Sequence, residues 1–303
     1  MILTLRALGV GDLATSVPAI RGLRAAFPGE VLTLAAPGWL TPLIDLIGGV
    51  DQVMPTDGLA PRSWDLPRPE IAVNLHGSGP ESHRLLQAAR PGKLWAFANA
   101  AAGHLDGPGF TGDEHEVHRW CRLLRHYGVP ADESDLALAL PDLDVPHGVT
   151  LVHPGAKSPT RRWPPARFAA VARRLRAAGH RVLVTGSPAE RPTAVRVAVG
   201  AGLDESSVPV TGLRDLAALV AHARLLISGD TGIAHLASAY GTPSVTLFGP
   251  MSPAGWGPPD RPYHRPLWHG THNEPGDRPG PVHPALLAIG EEEVLAAAAA
   301  ALG

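Results

Sequence analysis

What constrains this chain most is an alternation that runs through it twice. Short apolar runs, "ILTLRAL", "VLTLAAP", "DQVMP", "EIAVNLH" and "KLWAFA", are separated by amphipathic, Ala-rich stretches at 13–26, 38–47 and 80–90, with a further one at 114–128. The pattern restarts with "VTLVHPG" (149–155), "HRVLVTGS" (180–187), "VPVTG" (208–212), "RLLISGD" (224–230) and "PSVTLFGP" (243–250). Helical stretches at 164–178, 188–200, 213–222 and 231–240 lie between these runs. Strands that alternate with helices pair in parallel, and the helices cover both faces of the sheet. The double series therefore predicts two Rossmann-like α/β domains, joined in "PDLDVPHG" (141–148), where Pro and Asp break the periodicity. The expected boundaries are 1–145 and 146–290, with a closing helix over 291–303 that returns toward the first domain. That helix carries Glu291, Glu292 and Glu293 in its first turn, where the helix dipole favours them. The stretch 251–284, dense in Pro, Gly and His, reads as loop. Open α/β sheets bind ligands at the carboxyl ends of their strands, so a cleft between two facing domains is the expected site.

Composition narrows the function classes. The 303 residues carry 26 basic and 28 acidic side chains, a formal charge of −2 without a long block of one sign, which argues against a nucleic-acid partner. Cys121 is the lone cysteine, so neither an internal disulfide framework nor a Cys-based zinc site is available. The opening "MILTLRALGVGDLATSVPAI" is apolar but lacks a basic leader and a cleavage site, and reads as a first strand. No run reaches the ~20 apolar residues of a membrane span. A reduced, cytoplasmic protein is the expectation, with room for peripheral association with a membrane. Lys93 and Lys157 are the only lysines, an arginine bias that fits a GC-rich genome and carries no function by itself.

Four loops at strand ends hold the candidate chemistry. In "LGVGDLATS", Gly9, Gly11 and Ala14 fit the G-x-G-x-x-A dinucleotide fingerprint. The second run ends in Ala and Pro, without the acid that grips a ribose ~20 residues on. The alternative is that the glycines make room for a substrate and Asp12 points into the cleft. Asp12 also fits an N-cap for a helix beginning near Leu13, and one carboxylate can do both. In "HPGAKSPTRRWPPARF" (153–168), Lys157, Arg161 and Arg162 follow a strand and precede a Pro-initiated helix. Three such cations are either a solvated basic loop or a site for a diphosphate, which Arg grips in bidentate fashion and Lys as a point charge. In "TGSPAERP" (185–192), Glu190 lies within reach of a ribose diol or simply starts a helix.

The fourth loop is "SGDTGIAH". Here the N–H groups of Thr231 and Gly232 open a helix and can hold a phosphate. Asp230 lies one step earlier, placed either as an N-cap or as an acceptor for hydroxyls next to that phosphate. A sugar on a diphosphate has hydroxyls there, which suits a nucleotide-sugar better than a bare nucleotide. His235 lies on the same side of the helix as Thr231. His115 and His118 in "EHEVHRW", and His264, His269 and His272 further on, have no metal-ligand spacing, so neither a metal nor a cofactor is expected.

Together these residues resemble glycosyltransferase family 9, the heptosyltransferase-like family with the GT-B fold, two Rossmann-like parallel-sheet domains facing across a cleft. "ISGDTGIAHLASAYGTPSVTLFGP" is similar to the family's D-T-G-x-x-H-L-A signature and G-T-P strand. "RALGVGDLATSVPAIRGLRAAFP" resembles its amino-terminal Gly-Asp loop, "HPGAKSPTRRWPPARFAAVA" its central basic loop, and "HEVHRWCRLLRHYGV" and "EEEVLAAAAAAL" also fit. The resemblance implies an inverting, metal-independent transfer of a sugar, typically heptose from ADP-heptose, to a glycan or small-molecule acceptor. It assigns Asp12 as catalytic base and Glu190 to the ribose. Asp230, Thr231, Gly232 and His235 fall to the donor sugar and diphosphate, Arg161, next to Arg162, to the phosphates, and Thr211 to the neighbourhood of the base. The chain departs from the pattern in two ways: Arg161 stands where many members have Lys, and 251–284 lacks the Cys residues found there in many lipopolysaccharide-building members. The acceptor is thus open between a cell-envelope glycan and a secondary metabolite. The rival readings are a sugar-nucleotide epimerase of the same fold, a dinucleotide oxidoreductase, and a non-catalytic sugar-nucleotide-binding module.

Overall fold

The computed structural model describes residues 1–274, 276 and 279–303. Pro275, Asp277 and Arg278, within the stretch expected to be loop, lie outside the described residues. The chain divides into two compact units, Met1–Ala139 and Leu140–Gly303.

The first unit runs β1 (Ile2–Leu5), α1 (Val10–Thr15), α2 (Val17–Ala26), β2 (Leu32–Ala36), α3 (Thr41–Ile47), β3 (Gln52–Pro55), β4 (Ile71–Asn74), α4 (Pro80–Gln87), β5 (Lys93–Trp95) and α5 (Glu116–His126). Its five strands are all parallel, in the order β3-β2-β1-β4-β5. Every residue of β1 is buried, which is why the sequence there is apolar but for Thr4 rather than alternating with charged residues. The expected helix over 13–26 is in fact two. The first starts at Val10, and the chain breaks at Ser16 because Pro18, which has no N–H to give, fits only in the first turn of a new helix. Leu3, Leu5, Ala35, Ala72, Leu85 and Leu86 form one core cluster of this unit.

The second unit runs β6 (Thr150–His153), α6 (Pro165–Ala177), β7 (Val182–Val184), α7 (Arg191–Gly200), α8 (Leu213–Ala221), β8 (Leu225–Gly229), α9 (Gly232–Tyr240), β9 (Ser244–Leu247), α10 (Pro253–Trp256), β10 (His264–Leu267), α11 (Pro284–Ala288) and α12 (Glu291–Ala301). Its parallel strands are ordered β10-β9-β8-β6-β7. Helix α9 ends where Gly241 takes a left-handed conformation (φ 65°) that a side chain would strain, as the Gly-Thr-Pro stop implied. Trp163 is fully buried in this core; its indole N–H donates to the Ile289 carbonyl at 3.2 Å, and its ring meets Phe168 edge to face. Helix α12 buries Val294, Ala298 and Ala301 in the same core.

Two expectations need correction here. "VPVTG" is not a strand: Pro209 cannot donate to a ladder, and the Val208 carbonyl accepts instead from Arg191 Nη1 at 2.8 Å. The fifth strand is β10, inside the stretch read as loop. It is an edge strand, where Pro266 is tolerated, and His264 is locked into it by a 2.8 Å hydrogen bond between Nδ1 and Ser244 Oγ.

Candidate functional site

Strand order reverses once in each sheet, and the exits of the strands on either side of that reversal are where an open α/β sheet receives a ligand. In the first unit those strands are β1 and β4. The exit of β1 carries Asp12, which is not an N-cap: Gly9 is, and Asp12 sits at the third position of α1, where Oδ2 accepts from the Gly9 N–H at 3.1 Å.

Asp12 remains partly exposed, and its Oδ1 lies 3.6 Å from Nη2 of the fully buried Arg6. Arg6 also donates from Nε to the Asp12 carbonyl at 2.8 Å, from Nη1 to the Leu75 carbonyl at the exit of β4, and from Nη2 to Thr15 Oγ1 and Glu116 Oε1. Its guanidinium stacks over Trp120 at 4.6 Å. Burial pushes the Arg6 pKa down to about 10, with Asp12 acting in the opposite sense, so the group is a cation at neutral pH. Glu116 is shared with Arg119, to which it is directly ion-paired, and with the Trp120 N–H. None of Arg6, Glu116 or the Leu75–His76 turn was singled out by sequence reasoning. Arg6 is one arginine in an apolar run, and one of its two carboxylate partners, Glu116, is 110 residues away.

In the second unit the order reverses between β6 and β8. The exit of β6 carries the basic loop and the exit of β8 carries Asp230, which is buried at its root against the Leu247 carbonyl. Arg161 Nη1 reaches Asp230 Oδ2 at 3.4 Å. Thr231 caps α9 and Gly232 is its first residue, while His235 meets Trp256 edge to face at 6.0 Å. Arg162 is turned onto its own loop, donating to the Ala156 and Lys157 carbonyls at 2.8 and 3.3 Å, and Lys157 is exposed.

At the exit of β7, Glu190 accepts from the Ser187 N–H and hydroxyl at 2.9 and 2.7 Å and lies 3.9 Å from His153 Nε2. Burial works against the Glu190 carboxylate, but the two Ser187 hydrogen bonds, with His153 and Arg162 nearby, outweigh it and hold its pKa below the usual range. Burial pushes the His153 imidazole down, opposed by Glu190. Gly155 is the residue that admits this carboxylate: a Cβ there would lie 2.2 Å from Glu190 Oε1. Thr211 is half-buried in the coil before α8 and stands apart from any strand. The structure thus gathers Arg161, Asp230, Thr231 and Gly232 at the exits of two adjacent strands. Glu190 is one strand further along the sheet edge.

The histidines are otherwise employed. His115 Nδ1 accepts from the Val117 N–H at the start of α5, His118 lies between Glu114 and Glu133, and His269 and His272 pair with Glu293 and Glu274. Among the described residues no group of three or more His, Cys, Asp or Glu could hold a metal, and no helix is long and apolar enough to cross a membrane.

Comparison with known proteins decides the family. The model of glycosyltransferase family 9 (heptosyltransferase) matches residues 110–271, more than half of the chain. The chain belongs to glycosyltransferase family 9. It is similar to lipopolysaccharide heptosyltransferase 2 of Salmonella typhimurium, with 24% identity over 293 residues covering 80% of this chain and 81% of that protein. It is also similar to lipopolysaccharide heptosyltransferase 1 of Pseudomonas aeruginosa, with 38% identity over 130 residues, 42% of this chain and 34% of the other. Among solved structures, that of the E. coli ADP-heptose lipopolysaccharide heptosyltransferase II superposes with a TM-score of 0.80 at 21% identity, over 99% of this chain and 98% of that one. The fold is accordingly GT-B, two parallel-sheet α/β domains, and this family 9 member is a glycosyltransferase.

Proposed function

We propose that this glycosyltransferase moves heptose from ADP-heptose to a hydroxyl of a glycan or small-molecule acceptor, with inversion at the anomeric carbon. The relatives named above, lipopolysaccharide heptosyltransferases and an ADP-heptose enzyme, support that donor. The observation that carries the reading is the meeting of Arg161, Asp230 and the start of α9 at the β6/β8 exits. An arginine has five N–H donors, enough to keep Asp230 on one and hold phosphate oxygens on others. The α9 amides add positive potential to the same place. With Oδ2 of Asp230 engaged by Arg161, Oδ1 is left for a hydroxyl of the sugar, and so a carboxylate at the mouth of this helix need not repel a diphosphate.

In the proposed reaction Asp12 takes the proton of the acceptor hydroxyl as its oxygen attacks C1, and the C1–O bond to the diphosphate breaks. General-base help is worth ~10²–10⁴ in rate. Charge gathering on the leaving ADP is met by Arg161, Lys157 and the amides of Thr231 and Gly232, the larger electrostatic contribution. His235 lines the same turn of α9, Glu190 holds the ribose, Thr211 lies by the base, and Arg162 shapes the loop that presents Arg161. The 1–145 half is proposed as the acceptor side and the 146–290 half as the donor side. An enzyme acting on envelope glycans would work in the cytoplasm against the membrane surface.

A thermal-shift panel of nucleotide-sugars tests the donor. ADP-heptose at 100 times its Kd stabilises the protein by about 2.7 kcal/mol. Asp230→Ala weakens ADP-heptose more than ADP. Equal losses for the two, or a panel in which another nucleotide-sugar stabilises and ADP-heptose does not, contradict the reading.

A further inference from the structure

Resting on that reading, we propose that His76 is a second acceptor-side residue, a neutral hydrogen-bond donor holding an acceptor oxygen next to the hydroxyl that Asp12 deprotonates. His76 occupies the exit of β4, which pairs with β1 at the order reversal of the first sheet, so it and Asp12 flank the position where such sheets receive ligands. The turn that carries it is fixed on every side. The Leu75 N–H donates to the Leu5 carbonyl at 3.1 Å, and the Leu75 carbonyl accepts from Arg6. The His76 N–H donates to Asn74 Oδ1 at 3.0 Å, and the buried Asn74 is itself held by its Nδ2 donating to Ser82 Oγ at 2.9 Å. A loop tied this closely gains nothing further from an imidazole, so the side chain calls for another explanation.

The ring itself supplies one. Its Nδ1 is buried and has no hydrogen-bond partner among the described residues. Leaving a buried polar atom unpaired is costly, and an apolar side chain of similar size would avoid it. The ring faces the charges of Arg6 and Asp12, with Arg6 the stronger influence, and burial together with Arg6 holds it neutral, with a pKa of about 4. The buried nitrogen meets no acceptor, and an orphaned N–H is rarer in protein interiors than an under-satisfied acceptor, so a lone pair is favoured there. The proton then resides on Nε2, the ring nitrogen left to meet a ligand. The site that results offers two complementary groups at neighbouring strand exits: Asp12 accepts the proton of the attacking hydroxyl, and His76 Nε2–H donates to an adjacent oxygen. That pair selects an acceptor with vicinal oxygens, a diol or a sugar ring.

Two measurements test this. In ¹⁵N NMR of the full chain at pH 7, with the resonance assigned through His76→Gln, the ring is expected as the Nε2–H tautomer; the Nδ1–H tautomer overturns the proposal whatever the donor proves to be. In ADP-release assays with ADP-heptose, ethylene glycol and methanol serve as surrogate acceptors. His76→Leu, which removes the unpaired nitrogen, keeps or raises Tm and leaves ADP-heptose affinity unchanged. It lowers turnover with ethylene glycol about tenfold, one hydrogen bond's worth, with little effect on methanol. His76→Gln recovers most of the loss. Equal effects on the two alcohols, no effect on either, or a Gln variant no better than Leu overturn the assignment. The donor panel is independent of His76, so its failure is separable from these outcomes.

Discussion

Asp230 follows a strand and precedes a helix whose free amides favour an anion, yet it is itself an anion. Arg161 at 3.4 Å accounts for that placement, since the carboxylate is neutralised by the cation that would also meet a phosphate. Glu190 is a comparable case. It leans into space that only a glycine at 155 leaves open. Gly155→Ala pushes the carboxylate off Ser187 and costs about 1–3 kcal/mol of stability, as overpacking does. ADP-heptose affinity falls with it if Glu190 holds the ribose. Urea denaturation and donor titration check the two effects separately, and unchanged donor affinity would remove Glu190 from the site. Asp12, Arg161, Glu190 and Asp230 were legible in the sequence as strand-exit residues, because each follows an apolar run. Arg6, Glu116, Gly155 and His76 were not, because what they do depends on groups brought close only by the sheet: Arg6 meets Glu116 across 110 residues, and Gly155 matters only because Glu190 is folded over it.

At the level of elements, the helices of the second unit were read closely, whereas two of its short segments were not. Helices α6 to α9 fall within a few residues of their expected spans, since a buried face repeated over several turns is a strong signal. "VPVTG" has β-branched residues but no ladder to join, whereas the Pro-containing β10 is a strand because β9 offers it an edge. Its first residue makes a prediction. Burial, and then Arg261, push the His264 imidazole down to about 4 from 6.5, and His76 behaves alike. Between those values the unfolded chain takes up protons that the native state refuses. The contribution of these rings to stability is therefore complete above pH 6.5, declines as pH falls, and is fully lost below about 4. Urea midpoints at pH 7.5 and pH 5 measure it. His264→Asn, which keeps an acceptor for Ser244, is expected to narrow the difference, and an unchanged difference would mean the imidazole titrates normally.

Taken whole, the chain uses one plan twice with different outcomes. Both units are five-stranded parallel sheets with a single reversal of order, 3-2-1-4-5 in the first and, counting from its own first strand, 2-1-3-4-5 in the second. The first puts a carboxylate and a neutral imidazole at its reversal; the second puts arginine, aspartate and a helix start. The two-fold α/β series was plain from the sequence, because parallel sheets demand uninterrupted apolar strands and intervening helices. The most direct test of the account is the transfer rate of Asp12→Asn with ADP-heptose as donor, measured beside its donor affinity. Asn keeps an oxygen for the Gly9 N–H, so the helix start survives while the base is removed. The account predicts a rate lower by at least about 10²-fold at unchanged ADP-heptose Kd; turnover within a few-fold of the native enzyme would reduce Asp12 to a helix-capping group and contradict it.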